Sequence, residues 1–157
     1  MEKIVSLADT FSSQIAEILK SYFLTNTRIL ILFCGYTQGL AKHLTTLLKI
    51  VDPSKNILIM PADYAHNVLL PYISDDIDLV LLLSSKGAET CLARASSSLA
   101  MLGIKSVVLT TNLPQNYKRY IYTNQLIEIP HNIFRLALLQ GWIKLVLELK
   151  GSSARIE

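Results

Sequence analysis

Cysteine occurs only twice, at Cys34 and Cys91, in a chain of 157 residues. Two thiols at that spacing supply neither a disulfide framework nor the four-ligand pattern of a zinc site. Burial is the expected role of both, with Cys34 ending an apolar strand and Cys91 in the first turn of a helix. Blocks of like charge and Arg-rich stretches are missing, and the net charge is only +3, so steering toward nucleic acid is not indicated. The longest apolar runs fall well short of the ~20 residues that a membrane-spanning helix needs. Met1-Glu2-Lys3 opens an amphipathic segment rather than a signal peptide, which points to a cytoplasmic protein. Glycine is also scarce. The turn Cys34-Gly35-Tyr36-Thr37-Gln38-Gly39 lacks the third glycine of a dinucleotide fingerprint and the Gly-Lys-Ser/Thr ending of a P-loop.

What is abundant is apolar surface, 51% hydrophobic against 17% charged residues. The length suits one domain, residues 1–157, and this composition predicts a buried partner surface, most simply in a homo-oligomer. The stretch that organises the chain is Asp78 to Thr90. Its apolar run from Leu79 to Leu83 predicts a strand covered on both faces, and it opens into Ser84-Ser85-Lys86-Gly87 before the next helix. Hydroxyls, a cation and a flexible residue at a helix start suit an anion, because the first turn leaves backbone N–H groups unpaired.

In chain order, apolar residues at three- and four-residue steps from Ile4 to Phe23 predict an amphipathic helix. A first strand follows from Arg28 to Phe33, then the Gly35 turn with the Thr37 hydroxyl, then a helix as far as Ile50. Asn56 to Met60 reads as a second strand stopped by Pro61, and the segment from Tyr64 as a short helix ending before Tyr72. Asp75, Asp76 and Asp78 read as a solvated turn. Beyond Thr90 a helix ends at Gly103, Ile104 to Thr110 forms the fourth strand, and Gln125 to Ile129 an edge-like fifth. The closing helix begins at Pro130-His131-Asn132 and carries two apolar stripes, which predicts burial on two sides; Gly151 onward reads as a frayed tail. Strand and helix alternate as in a parallel sheet with helices on both faces, a doubly wound α/β sandwich.

The pattern resembles the sugar isomerase (SIS) domain family of phosphosugar isomerases and phosphosugar-binding regulators, over nearly the whole chain. The residues that carry the likeness are Ile29 to Ala41 and, above all, Asp78 to Thr111, similar to the family's apolar strand, Ser-x-Ser-Gly-x-Thr loop, glycine-stopped helix and threonine-ended strand. The resemblance implies a three-layer α/β/α fold on a five-stranded parallel sheet, an assembly of two or more subunits, no cofactor and no metal, and a sugar phosphate held by the two hydroxyl-bearing loops. Gly35, Thr37, Ser84, Ser85, Lys86, Gly87 and Thr90 are the phosphate-binding candidates. Lys86 stands where the family pattern has its second serine, and Glu89 where it has threonine unless the loop presents Thr90 instead.

Aldose–ketose isomerisation needs a positioned base to move a proton between adjacent carbons. The family's usual glutamate near the closing helix has no counterpart between Pro130 and Gln140, which leaves His131 and Glu89 as the catalytic candidates; Asp63 and Glu128 read as capping or surface carboxylates, and His43 and His66 lie elsewhere. Two other readings remain open: a non-catalytic module that senses a sugar phosphate, and a flavodoxin-like protein holding a nucleotide or flavin.

Overall fold

The computed structural model describes residues 1–65 and 74–154. Helix α1 (Glu2–Thr25) precedes strand β1 (Arg28–Cys34), α2 (Gln38–Val51), β2 (Asn56–Pro61) and a single helical turn, α3 (Ala62–Tyr64). After a 3-10 turn at Ser74–Asp76 come β3 (Leu79–Ser84), α4 (Glu89–Met101), β4 (Ser106–Thr111), the short α5 (Gln115–Lys118), β5 (Gln125–Ile129), a 3-10 turn at His131–Ile133, and α6 (Phe134–Ala154). All strand pairings are parallel, in the order β2-β1-β3-β4-β5. The strand order therefore reverses between β1 and β3.

Period-two alternation along the strands divides the interior into two layers. Ile29 and Ile31 of β1, Leu79, Leu81 and Leu83 of β3, and Val107 and Leu109 of β4 pack toward α1, α2 and α6. Leu30, Leu32 and Cys34, with Val80, Leu82 and Val108, pack on the opposite face against Leu92, Ala95 and Leu99 of α4. Strand β3 is buried along its whole length, which is why its sequence is continuously apolar instead of alternating. Helix α4 stops where expected: Gly103 takes φ 71°, and the Ile104 N–H returns to the Leu99 carbonyl at 3.0 Å. Lys55, in the turn after α2, is buried; its ammonium donates to the carbonyls of Phe23 and Asn26 at the end of α1, satisfying groups that the helix terminus leaves open.

Several expectations need correction. The fourth strand starts at Ser106 rather than Ile104. Only one stripe of α6 is covered: Phe134, Leu138, Trp142, Leu145 and Leu149 are buried, whereas Ile143 is 54% and Leu147 63% exposed. The helix also continues through Gly151 to Ala154 instead of fraying at the glycine. The short helix predicted from Tyr64 lies mostly outside the described residues.

Asp78 is not a solvated turn residue. Its carboxylate accepts the Arg28 guanidinium at 2.7 and 3.2 Å and the Arg28 backbone N–H at 3.1 Å, tying the amino ends of β1 and β3 together. The side-chain and then the backbone hydrogen bonds from Arg28 hold its carboxyl down to about 2. An unfolded aspartate titrates at ~3.9, so the folded chain prefers the charged form and gains stability that is complete above that pH and is lost between ~4 and 2. Asp78→Asn should lower Tm by a few degrees at pH 7. The gap from wild type should close as thermal melts are taken through that acid window; a gap that persists at pH 2 would assign the effect to something other than the charge.

Candidate functional site

The carboxyl ends of β1 and β3 lie side by side, with Cys34 opposite Ser84 in the parallel register. Each strand runs through a short loop into a helix, so residues 35–37 and 84–88 meet at the point where the strand order reverses, the usual ligand crevice of open α/β sheets. The two loops are in direct contact. The Tyr36 N–H donates to Ser85 Oγ at 2.9 Å, and Thr37 Oγ1 lies 2.9 Å from the Cys34 carbonyl and 3.0 Å from that of Leu83. Gly35 takes φ 67°, and a Cβ there would stand 2.2 Å from Ser85 Oγ. A side chain at this position would both strain the backbone and push the loops apart.

The predicted phosphate-binding residues therefore fall into two tiers. Gly35, Thr37 and Ser84 form the floor: the Thr37 and Ser84 side chains are fully buried, and the one proton of the Thr37 hydroxyl is directed at backbone carbonyls. Ser84 follows Val80 and Leu82 on the face of β3 turned toward α4, which explains why a hydroxyl that looks available in the sequence is covered. Ser85 is half-buried, while Lys86, Gly87 and Thr90 are exposed at the opening. Nothing lies within 4 Å of the direction in which Gly87 would carry a side chain, so its backbone is approachable.

Glu89 has a definite place. Its Oε1 accepts the Gly87 N–H at 3.2 Å, so the carboxylate already occupies a donor that an incoming anion would use. Thr90 Oγ1 is 3.4 Å from Tyr117 Oη, which brings the connection between β4 and β5 to the edge of the site. Neither Tyr117 nor the 87%-exposed Tyr36 stands out as a site residue in the sequence. The signal for them is topological: loops after β1, β3 and β4 all open on the same side of a parallel sheet.

The remaining titratable candidates are not gathered at this loop. His131 is exposed in the 3-10 turn after β5, two strand positions from β3 and so roughly 10 Å away along the sheet. Glu128 accepts the Leu113 N–H at 2.8 Å and pairs with Lys118 at 3.2 Å, a structural assignment. Asp63 is exposed in the first turn of α3, His43 is exposed on α2, and His66 lies outside the described residues. Among the described residues no cluster of three or more metal-ligating side chains occurs. Two clefts sit at the opposite, amino ends of the strands, one of about 400 Å³ beside Ser106, Tyr122 and Asn124 and one of about 300 Å³ beside Arg28 and Asn56. They face away from the starts of α2 and α4, and Arg28 is already neutralised by Asp78.

The sequence matches no family model and no curated protein. The fold has clear counterparts among solved structures. The Vibrio vulnificus NanR protein complexed with ManNAc-6P superposes with a TM-score of 0.67 at 11% identity, over 99% of this chain and 66% of that one, so this chain spans just under two thirds of its length. The c3406 protein of E. coli CFT073, in complex with a sugar phosphate, gives 0.66 at 15% identity, covering 97% and 90% of the two chains. The sugar isomerase domain of the RpiR transcription factor from Sphaerobacter thermophilus gives 0.59 at 11% identity, covering 98% and 95%. The class is a three-layer, doubly wound α/β/α sandwich on a five-stranded parallel sheet. Within that class the chain has the SIS domain fold.

Proposed function

We propose that this chain binds a sugar phosphate at the carboxyl ends of β1 and β3, its phosphate meeting the Ser85 and Thr90 hydroxyls, the Lys86 ammonium and the Gly87 N–H. The observation that carries this reading is the loop from Ser85 to Thr90, which offers those groups at an open helix start and is held in place by the Tyr36 N–H bond to Ser85. Gly35, Thr37 and Ser84 shape the floor beneath. The sugar phosphates bound to NanR and c3406 support the same ligand class.

Binding without turnover is the better-supported form of the reading, because His131 lies two strands from the loop and Glu89 is engaged with the Gly87 N–H. Isomerisation is the second reading, favoured by one placement: His131 and Glu89 both follow the carboxyl ends of strands. The reading includes a cytoplasmic protein that needs no cofactor and assembles as a homodimer through the exposed apolar residues of α1 and α6, Ile4, Val5 and Leu7 with Ile143 and Leu147. No described helix is long and apolar enough to cross a membrane.

Thermal melts test the ligand class. At a hundredfold excess over Kd, a pentose 5-phosphate or hexose 6-phosphate should raise Tm by roughly 5–10 °C, and the free sugar should not. Ser85→Ala and Thr90→Val should each reduce the shift. Equal shifts with and without the phosphate group would overturn the assignment.

A further inference from the structure

The two cysteines, 57 residues apart in sequence, meet directly beneath this site: their sulfur atoms are 3.0 Å apart and share an S–H···S hydrogen bond. Cys34 closes β1 immediately before Gly35, and Cys91 is the third residue of α4, immediately after Thr90. Both side chains point into the layer between the sheet and α4, Cys34 within the cluster of Leu82, Leu92 and Ala95 and Cys91 packed against it. The separation exceeds the covalent S–S distance of ~2.05 Å by only about 1 Å.

We propose that Cys34 and Cys91 are a redox-active pair that a peroxide converts to an intramolecular disulfide, clamping the end of β1 to the first turn of α4. The thiols divide the work by exposure. Cys91 is half-buried and Cys34 is 2% exposed, so the peroxide reaches Cys91 first. The Cys91 sulfur takes one peroxide oxygen, becoming a sulfenic acid and releasing water; the Cys34 sulfur then attacks Cys91, forming the S–S bond and releasing the second water. Two thiols are oxidised and one peroxide is reduced. The hydrogen bond to Cys91, then burial, pushes the Cys34 thiol up, which keeps it protonated until its partner has reacted. Because the bridge joins the residues flanking both loops, it fixes the spacing of the groups at the opening. The covalent step does not depend on what the site binds.

The test uses the full chain, reduced or treated with stoichiometric hydrogen peroxide, and reads the intact mass and an unreduced digest. The expected product is a monomer lighter by two hydrogens, with the Cys34 and Cys91 peptides linked, restored by dithiothreitol. Closing a loop of this size should also raise Tm by roughly 5–10 °C. Cys91→Ser and Cys34→Ala should each abolish both the link and the shift, Cys91→Ser providing the control least exposed to a folding defect. Sulfinic acid at Cys91 with no link, a disulfide between two chains, or unreacted thiols would each overturn the proposal.

Discussion

Replacing Trp142 with alanine should destabilise the chain by about 3–5 kcal/mol, the usual cost of removing a large aromatic side chain from a core that cannot collapse around the gap. Trp142 is fully buried on α6, among the side chains that join α6 to α1 and the sheet. It also makes a specific connection: its Nε1–H donates to the Leu40 carbonyl at 3.2 Å, in the first turn of α2. That turn follows the Gly35 loop, so the substitution removes packing and also a tether of the helix that carries one side of the candidate site. Trp142→Phe should cost less, since it keeps most of the volume and loses the donor. Urea denaturation followed by circular dichroism measures both. A cost below ~1 kcal/mol for the alanine variant would mean that α6 is not integral to this core.

The second large effect is a gain. Glu89→Gln should tighten binding of a sugar phosphate by roughly tenfold, which corresponds to about 1.4 kcal/mol. A carboxylate bonded to the Gly87 N–H sits where the phosphate would approach, and like charges a few ångströms apart in a partly screened loop repel on this scale. Glutamine retains a carbonyl oxygen for the same N–H, so the loop should keep its shape while losing the charge. The unliganded chain should lose a few tenths of a kcal/mol, because an acidic side chain at a helix start interacts favourably with the helix dipole. Calorimetric titration reads the affinity. A drop in affinity would mean that Glu89 contacts the ligand directly, which is what isomerisation with Glu89 as base requires.

Local features made much of the fold legible. Strands β1, β2 and β3 are apolar runs ended by Gly, Pro or Ser, and β5 occupies the residues predicted for it, because a short β-rich run between turn residues leaves the backbone few alternatives. The parallel sheet followed from the alternation with helices. What the sequence concealed were contacts between distant residues. Asp78 looked solvated because its partner Arg28 is 50 residues away. Thr37 and Ser84 looked like open hydroxyls because loop membership does not reveal which side chains fold back toward the interior. Cys34 and Cys91 looked like separate packing residues, and it is the placement of α4 against β1 that brings them together. The second stripe of α6 was apolar as read, but apolarity does not say whether its cover comes from the same chain.

The most direct test of the binding site is a titration of ¹⁵N-labelled protein with a pentose 5-phosphate, followed by amide chemical shifts. The account expects the amides of Tyr36, Ser85, Gly87 and Thr90 to move first and farthest, saturably, and to stay still with the free pentose. Shifts gathered at the amino ends of the strands, around Arg28 and Asn56 or Ser106 and Asn124, would contradict it.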